Sequence, residues 1–196
     1  MKEKTAQFIS FVFHPLVFAI LIPFIITYHA TTNISMGLRW TIFSIVFIFS
    51  SLGVFFLIKP NEYLSDFGIS QQEKRPLFYT IMLFFSIVYF GIAVFFKGIF
   101  FPLSIVALGI ILSLIIFDFA NKFMKASTHA AVSTAFVVTY GILYGPLAFA
   151  VICWIPFVVS WSRLFLRKHT IQEVVSGAVI GCCITLLTFV MAKIIL

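Results

Sequence analysis

Seven apolar runs separated by short polar gaps organise this chain, at residues 8–28, 40–57, 77–96, 100–120, 131–144, 147–161 and 174–195. The first four and the last reach the length of about 18 residues or more that a bilayer crossing takes. The fifth and sixth are short for that span. Their divider, Gly145-Pro146, is a turn signal, so the pair reads as a hairpin extended by flanking polar residues, or as a re-entrant pair. No segment alternates apolar and polar residues with the period of two that a β-barrel needs. In hydrocarbon each backbone N–H and C=O must be satisfied inside its own segment, which makes helices the default. The pattern therefore predicts an all-α protein: one polytopic transmembrane bundle of six or seven helices, with residues 1–196 as a single integral membrane domain.

The first run imitates a signal peptide, because Lys2 and Lys4 precede it and Ala30 follows it. It is longer than the roughly 7–15 residues of a signal core, and Pro15 and Pro23 interrupt it. The expectation is a retained first span. Trp40 and Trp161 sit at run ends, as an aromatic belt places them. Gly177 and Gly181 form a G-x-x-x-G in the last run, which predicts a close helix contact.

Composition sharpens the class. Hydrophobic residues make up 62% of the 196, charged residues 10%, and mean hydropathy is +1.17. A soluble domain is about a quarter charged, so an ordinary globular protein is excluded, and so is disorder. The net charge of +7 would suggest nucleic acid in a soluble protein. Here the basic residues lie in gaps between apolar runs, so anionic lipid headgroups or an anionic substrate fit better and no nucleic-acid partner is expected. Cys153, Cys182 and Cys183 lie inside apolar runs without metal-ligand spacing and read as buried apolar thiols.

If every run crosses, the N-terminus and residues 58–76, 118–130 and 162–173 share one side. That side holds ten of the thirteen Lys/Arg and all six acidic residues; the other holds Arg39, Lys97 and Lys193. Three of its loops repeat one chemistry. The first is Glu73-Lys74-Arg75-Pro76, the second Lys125-Ala126-Ser127-Thr128-His129, and the third runs from Ser162-Arg163 through His169 to Glu173. Arginine forks match phosphate oxygens, and helix N-termini bind anions. One histidine can attack phosphorus while another protonates the leaving oxygen. A carboxylate four residues after a histidine can hold its tautomer. No acidic cluster suited to Mg²⁺ and no Walker glycine loop is present, so metal-free chemistry is expected, with no cofactor.

These three loops resemble the type 2 phosphatidic acid phosphatase family, relatives of the vanadium haloperoxidases, over about residues 66–185. The family pattern is K-x6-R-P, then P-S-G-H, then S-R-x5-H-x3-D. Arg75-Pro76 matches the end of the first element, and Ser127 and His129 match the second. Ser162-Arg163, His169 and Glu173 match the third in spacing. Gly68 stands where the family has its lysine, Thr128 where it has glycine, and Glu173 where it has Asp. The resemblance implies a phosphohistidine at His169, oriented by Glu173, with His129 as general acid. It also implies phosphate held by Arg75, Ser127 and Arg163 and a backbone N–H near Thr128, with Lys74 or Lys125 in place of the missing lysine. The substrate would be phosphatidate, phosphatidylglycerol phosphate, or a polyprenyl phosphate or diphosphate, met among membrane lipids in a cell membrane.

Plainer readings stand beside these. Lys74-Arg75 is also a basic membrane flank, Ser127-Thr128 a helix cap, and Thr170-x-x-Glu173 a capping box. His14, before Pro15 inside the first run, fits a structural histidine, and the sequence names no partner for it. A lipid-binding or scaffolding protein of the same shape is the alternative, and a transporter is disfavoured by the scarcity of ionisable residues deep in the runs. The positive-inside rule puts the motif side in the cytoplasm, whereas many bacterial proteins of the resembled family work on the outer face.

Overall fold

The computed structural model describes residues 2–58, 72–98 and 101–195, without the side chains of Lys74 and residues 193–195. The described residues form nine α-helices, one 3₁₀ turn at Gln72–Lys74, and no strand. The helices are α1 (Lys2–Val12), α2 (Pro15–Thr31), α3 (Ile34–Ile58), α4 (Arg75–Lys97), α5 (Pro102–Asn121), α6 (Thr128–Tyr144), α7 (Pro146–Ile152), α8 (Ile155–Phe165) and α9 (Ile171–Ile195). Among the described residues six segments are long and apolar enough to cross a membrane: Lys2–Thr31, Ile34–Ile58, Arg75–Lys97, Pro102–Asn121, Pro146–Phe165 and Ile171–Ala192. The protein is thus an all-α, multi-pass membrane protein. Large apolar side chains such as Phe95, Leu147 and Phe157 point outward, where hydrocarbon replaces water as the solvent.

α6 is the axis of the fold. It packs on α2, α7, α8 and α9. Its 17 residues rise about 26 Å, so the short fifth run becomes nearly bilayer-long by starting at Thr128. Gly145 turns the chain at φ +92°, where only glycine is unstrained, and Pro146 opens α7. The sixth run is broken between α7 and α8 at Cys153-Trp154. One core cluster joins Phe18 of α2 to Val137 of α6 and to Ile155 and Val159 of α8.

The first run differs from a single continuous span. It breaks at Phe13-His14, because a residue before proline is pushed out of the helical region. His14 is extended (φ −67°, ψ 143°), Pro15 opens α2, and His14 Nδ1 accepts the Leu16 N–H at 3.3 Å. α1 then runs antiparallel to α8. Ser162 Oγ donates to the Ala6 carbonyl at 2.7 Å, and Arg163 donates to Ser10 Oγ at 2.8 Å.

The close contact expected of the two glycines is α6 against α9. A methyl at Gly177 would collide with the Ser127 carbonyl, and one at Gly181 with the Ala131 carbonyl. The cysteines correct the sequence reading: Cys153 and Cys182 are half-buried and Cys183 is exposed. An apolar thiol is as well accommodated by lipid as by a protein core, so an apolar run does not fix which way it faces.

Candidate active site

Three chain segments distant in sequence meet at one end of the bundle. Arg75 is the first residue of α4, 3% exposed, and its guanidinium donates to the Ala126 carbonyl at 3.1 Å. The Ser127 N–H donates to the Glu173 carbonyl at 2.9 Å. These two bonds lock residues 125–128 between the head of α4 and the first turn of α9. Gly177 lets the locked loop lie directly on α9.

His169 precedes α9 and is buried. Its Nδ1 lies 2.9 Å from Glu173 Oε2. A carboxylate only accepts, so Nδ1 carries the hydrogen and Nε2 keeps its lone pair. The capping box is present too: the Thr170 N–H donates to the same Oε2 at 3.1 Å, and the Glu173 N–H to Thr170 Oγ1 at 3.3 Å. Burial, reinforced by Arg163 and Lys125, holds the His169 imidazole down at about 4, against the opposing pull of Glu173. Burial first, then the nearby Arg75, lowers the Lys125 ammonium as well, with Arg163 and Lys168 adding to the push. Arg75, Arg163, Lys125 and Lys168 thus gather positive charge around His169.

A cavity of about 600 Å³ begins at this cluster. Arg75, Lys125, Thr128, His129, Arg163, Lys168 and His169 line its head. Its walls continue through the bundle, past Met82, Ala135 and Ile184 to Leu143 and Phe189. Thr128 opens α6, so the positive end of that helix faces the head. A second, more open hollow lined by Lys125, Arg167, Lys168, Thr170 and Glu173 also reaches His169. His169, Lys125 and Lys168 therefore line both the chamber and the outer hollow.

Of the residues singled out by sequence, Arg75, Lys125, Thr128, His129, Arg163 and His169 line the chamber together, and Glu173 backs His169. Ser127 does not line it: the side chain is fully buried, and its Oγ accepts the Ala130 N–H at 3.4 Å as the cap of α6. The Lys74 side chain and Gly68 lie outside the described residues. His14 is the residue that sequence reading left out. It lines the same head, and its ring meets His129 edge to face, centroids 5.3 Å apart at 88°. The signal for it was a polar side chain inside a lipid-spanning run. Among the described residues no group of three or more His, Cys, Asp or Glu is placed to hold a metal ion. No family model, curated protein or solved structure matches this chain.

Proposed function

We propose that this chain is a membrane phosphatase of the type 2 phosphatidic acid phosphatase kind, hydrolysing a lipid phosphate monoester or diphosphate without a metal ion. The observation that carries the reading is the His169–Glu173 pair, 2.9 Å apart, at the cationic head of a chamber with apolar walls. A lipid tail fits the chamber and its phosphate fits the head. Arg75, Arg163, Lys125 and Lys168 attract an anionic ligand and repel a bare cation.

In this mechanism His169 Nε2 attacks phosphorus as the bond to the leaving oxygen breaks. His129, which takes up a second ring proton together with the phosphate ligand, gives that proton to the leaving oxygen and releases the lipid alcohol, or the lipid monophosphate from a diphosphate. Glu173 stabilises the charge that develops on the His169 ring. Water entering by the outer hollow then attacks the phosphohistidine and gives its proton to His129. Inorganic phosphate leaves, and both histidines return to their starting states. The substrate is a phosphatidate, phosphatidylglycerol phosphate or polyprenyl phosphate or diphosphate, and the site faces the cytoplasmic side of the cell membrane.

The deciding experiment is phosphate release by detergent-purified protein from a panel of those lipids, with and without EDTA. Release that survives EDTA and disappears in a folded His169→Ala variant is expected. Tight lipid-phosphate binding with no release would favour the lipid-binding alternative. Loss of all wild-type release with EDTA would refute the metal-free mechanism.

A further inference from the structure

We propose that His14 is a positioning residue for His129, holding the imidazole that delivers the proton. The inference rests on the general-acid role proposed above for His129. Three observations carry it, and none involves the phosphate-holding groups. His14 sits at the break between α1 and α2, where Pro15 fixes the backbone. Its Nδ1 accepts the Leu16 N–H at 3.3 Å, so in the neutral ring the hydrogen is on Nε2 and the ring is held by its cap. That ring meets His129 edge to face, at 5.3 Å and 88°.

His129 is the second residue of α6, and an imidazole there swings on two side-chain bonds. A general acid must be held within hydrogen-bond reach of one oxygen. Arg163 from α8, Arg75 from α4, His169 from the turn before α9 and His14 line the cavity head together with His129. Lys125 and Lys168 line the same head. The arginines are suited to a phosphate. A ring fixed by a backbone N–H packs the imidazole in place without adding a fixed charge. The sequence places the two histidines far apart, so α1 and its anchors to Ser162 and Arg163 become part of what aims the acid.

His14→Asn tests this, because the Asn oxygen still accepts the Leu16 N–H and so preserves the start of α2. The expected result is a fall in kcat on the order of 10-fold for alkyl lipid phosphates, with KM within about 2-fold. An aryl phosphate with a good leaving group, which needs no acid, should change by less than about 3-fold. In a His129→Ala background, His14→Asn should cost nothing further. Wild-type kcat in His14→Asn, or an equal loss with His129 absent, overturns the proposal. A second measurement does not depend on turnover: imidazole ¹⁵N and ¹³C ring signals of His129 in detergent should be narrow in the wild type and broadened by ring motion in His14→Asn. Unchanged His129 signals overturn the proposal. A wild type that releases phosphate from no lipid refutes the phosphatase reading alone, and the spectra still decide the role of His14.

Discussion

Glu173 Oε2 lies 2.9 Å from His169 Nδ1 while it also accepts the Thr170 N–H at 3.1 Å. One oxygen therefore closes the helix cap and holds the imidazole. The cap fixes the carboxylate, and the carboxylate fixes the ring, so Nε2 points away from α9.

Glu173→Gln separates the two jobs. Gln still serves the capping box, so folding stability should change by no more than about 1 kcal/mol. It carries no charge to stabilise an imidazolium, so turnover should fall by about 10²-fold or more. Thermal unfolding in detergent and phosphate release, measured on the same preparation, check both. Turnover at the wild-type rate would reduce Glu173 to a cap.

The low pKa of His169 sets a pH dependence. Burial and the neighbouring Arg163 and Lys125 favour the neutral ring, lowering it from 6.5 to about 4. If His169 is the nucleophile proposed above, its neutral ring is available at all pH values above about 4. The acid limb of kcat/KM, which reports the free enzyme, should fall there and not near 6.5. The sign for stability follows from the same shift. The unfolded chain takes up this proton as pH falls through 6.5, the folded chain only near 4. The contribution is full above 6.5 and is lost as pH falls towards 4. An acid limb near 6.5 would mean that His169 is open to water.

Gly177 and Gly181 should be intolerant of any side chain. A methyl on either meets a backbone carbonyl, of Ser127 or Ala131, which cannot rotate away. Gly177→Ala should cost about 1–3 kcal/mol through overpacking and should lower turnover as well, because Ser127 is tied to the Glu173 carbonyl. Gly53→Ala and Gly91→Ala meet nothing within 4 Å and serve as controls. Equal behaviour of all four in melting and turnover would contradict the α6–α9 contact as the site's foundation.

Spans were legible because a bilayer demands long apolar segments, and the spacing from Arg163 to Glu173 was legible because one helical turn brings its last two members together. What stayed hidden was long-range. Nothing in local periodicity ties His14 to His129, since their meeting depends on how α1 folds back on α8. The break at His14 had a local signal in Pro15, but apolar residues continue on both sides of it and the run was read as one span. The resemblance gave Ser127 as a phosphate ligand, whereas its side chain is fully buried and caps α6.

The cytoplasmic orientation proposed for the site rests on charge, and labelling tests it directly. Arg75 and Arg163 are buried in the candidate site, so they do not count as topological signals. Eight Lys/Arg remain on the site side against Arg39, Lys97 and Lys193. The positive-inside rule counts such residues near span ends, and on that count a cytoplasmic site end is expected. Lys122, exposed at the end of α5, reports on that end, and Arg39, exposed near the start of α3, on the other. Each is replaced by Cys in a chain whose Cys153, Cys182 and Cys183 have been changed to Ala. In intact spheroplasts a membrane-impermeant thiol reagent should label Arg39→Cys and spare Lys122→Cys until the membrane is permeabilised. The reverse pattern would put the phosphate-binding head on the outer face, with substrate drawn from the outer leaflet and inorganic phosphate released outside the cell.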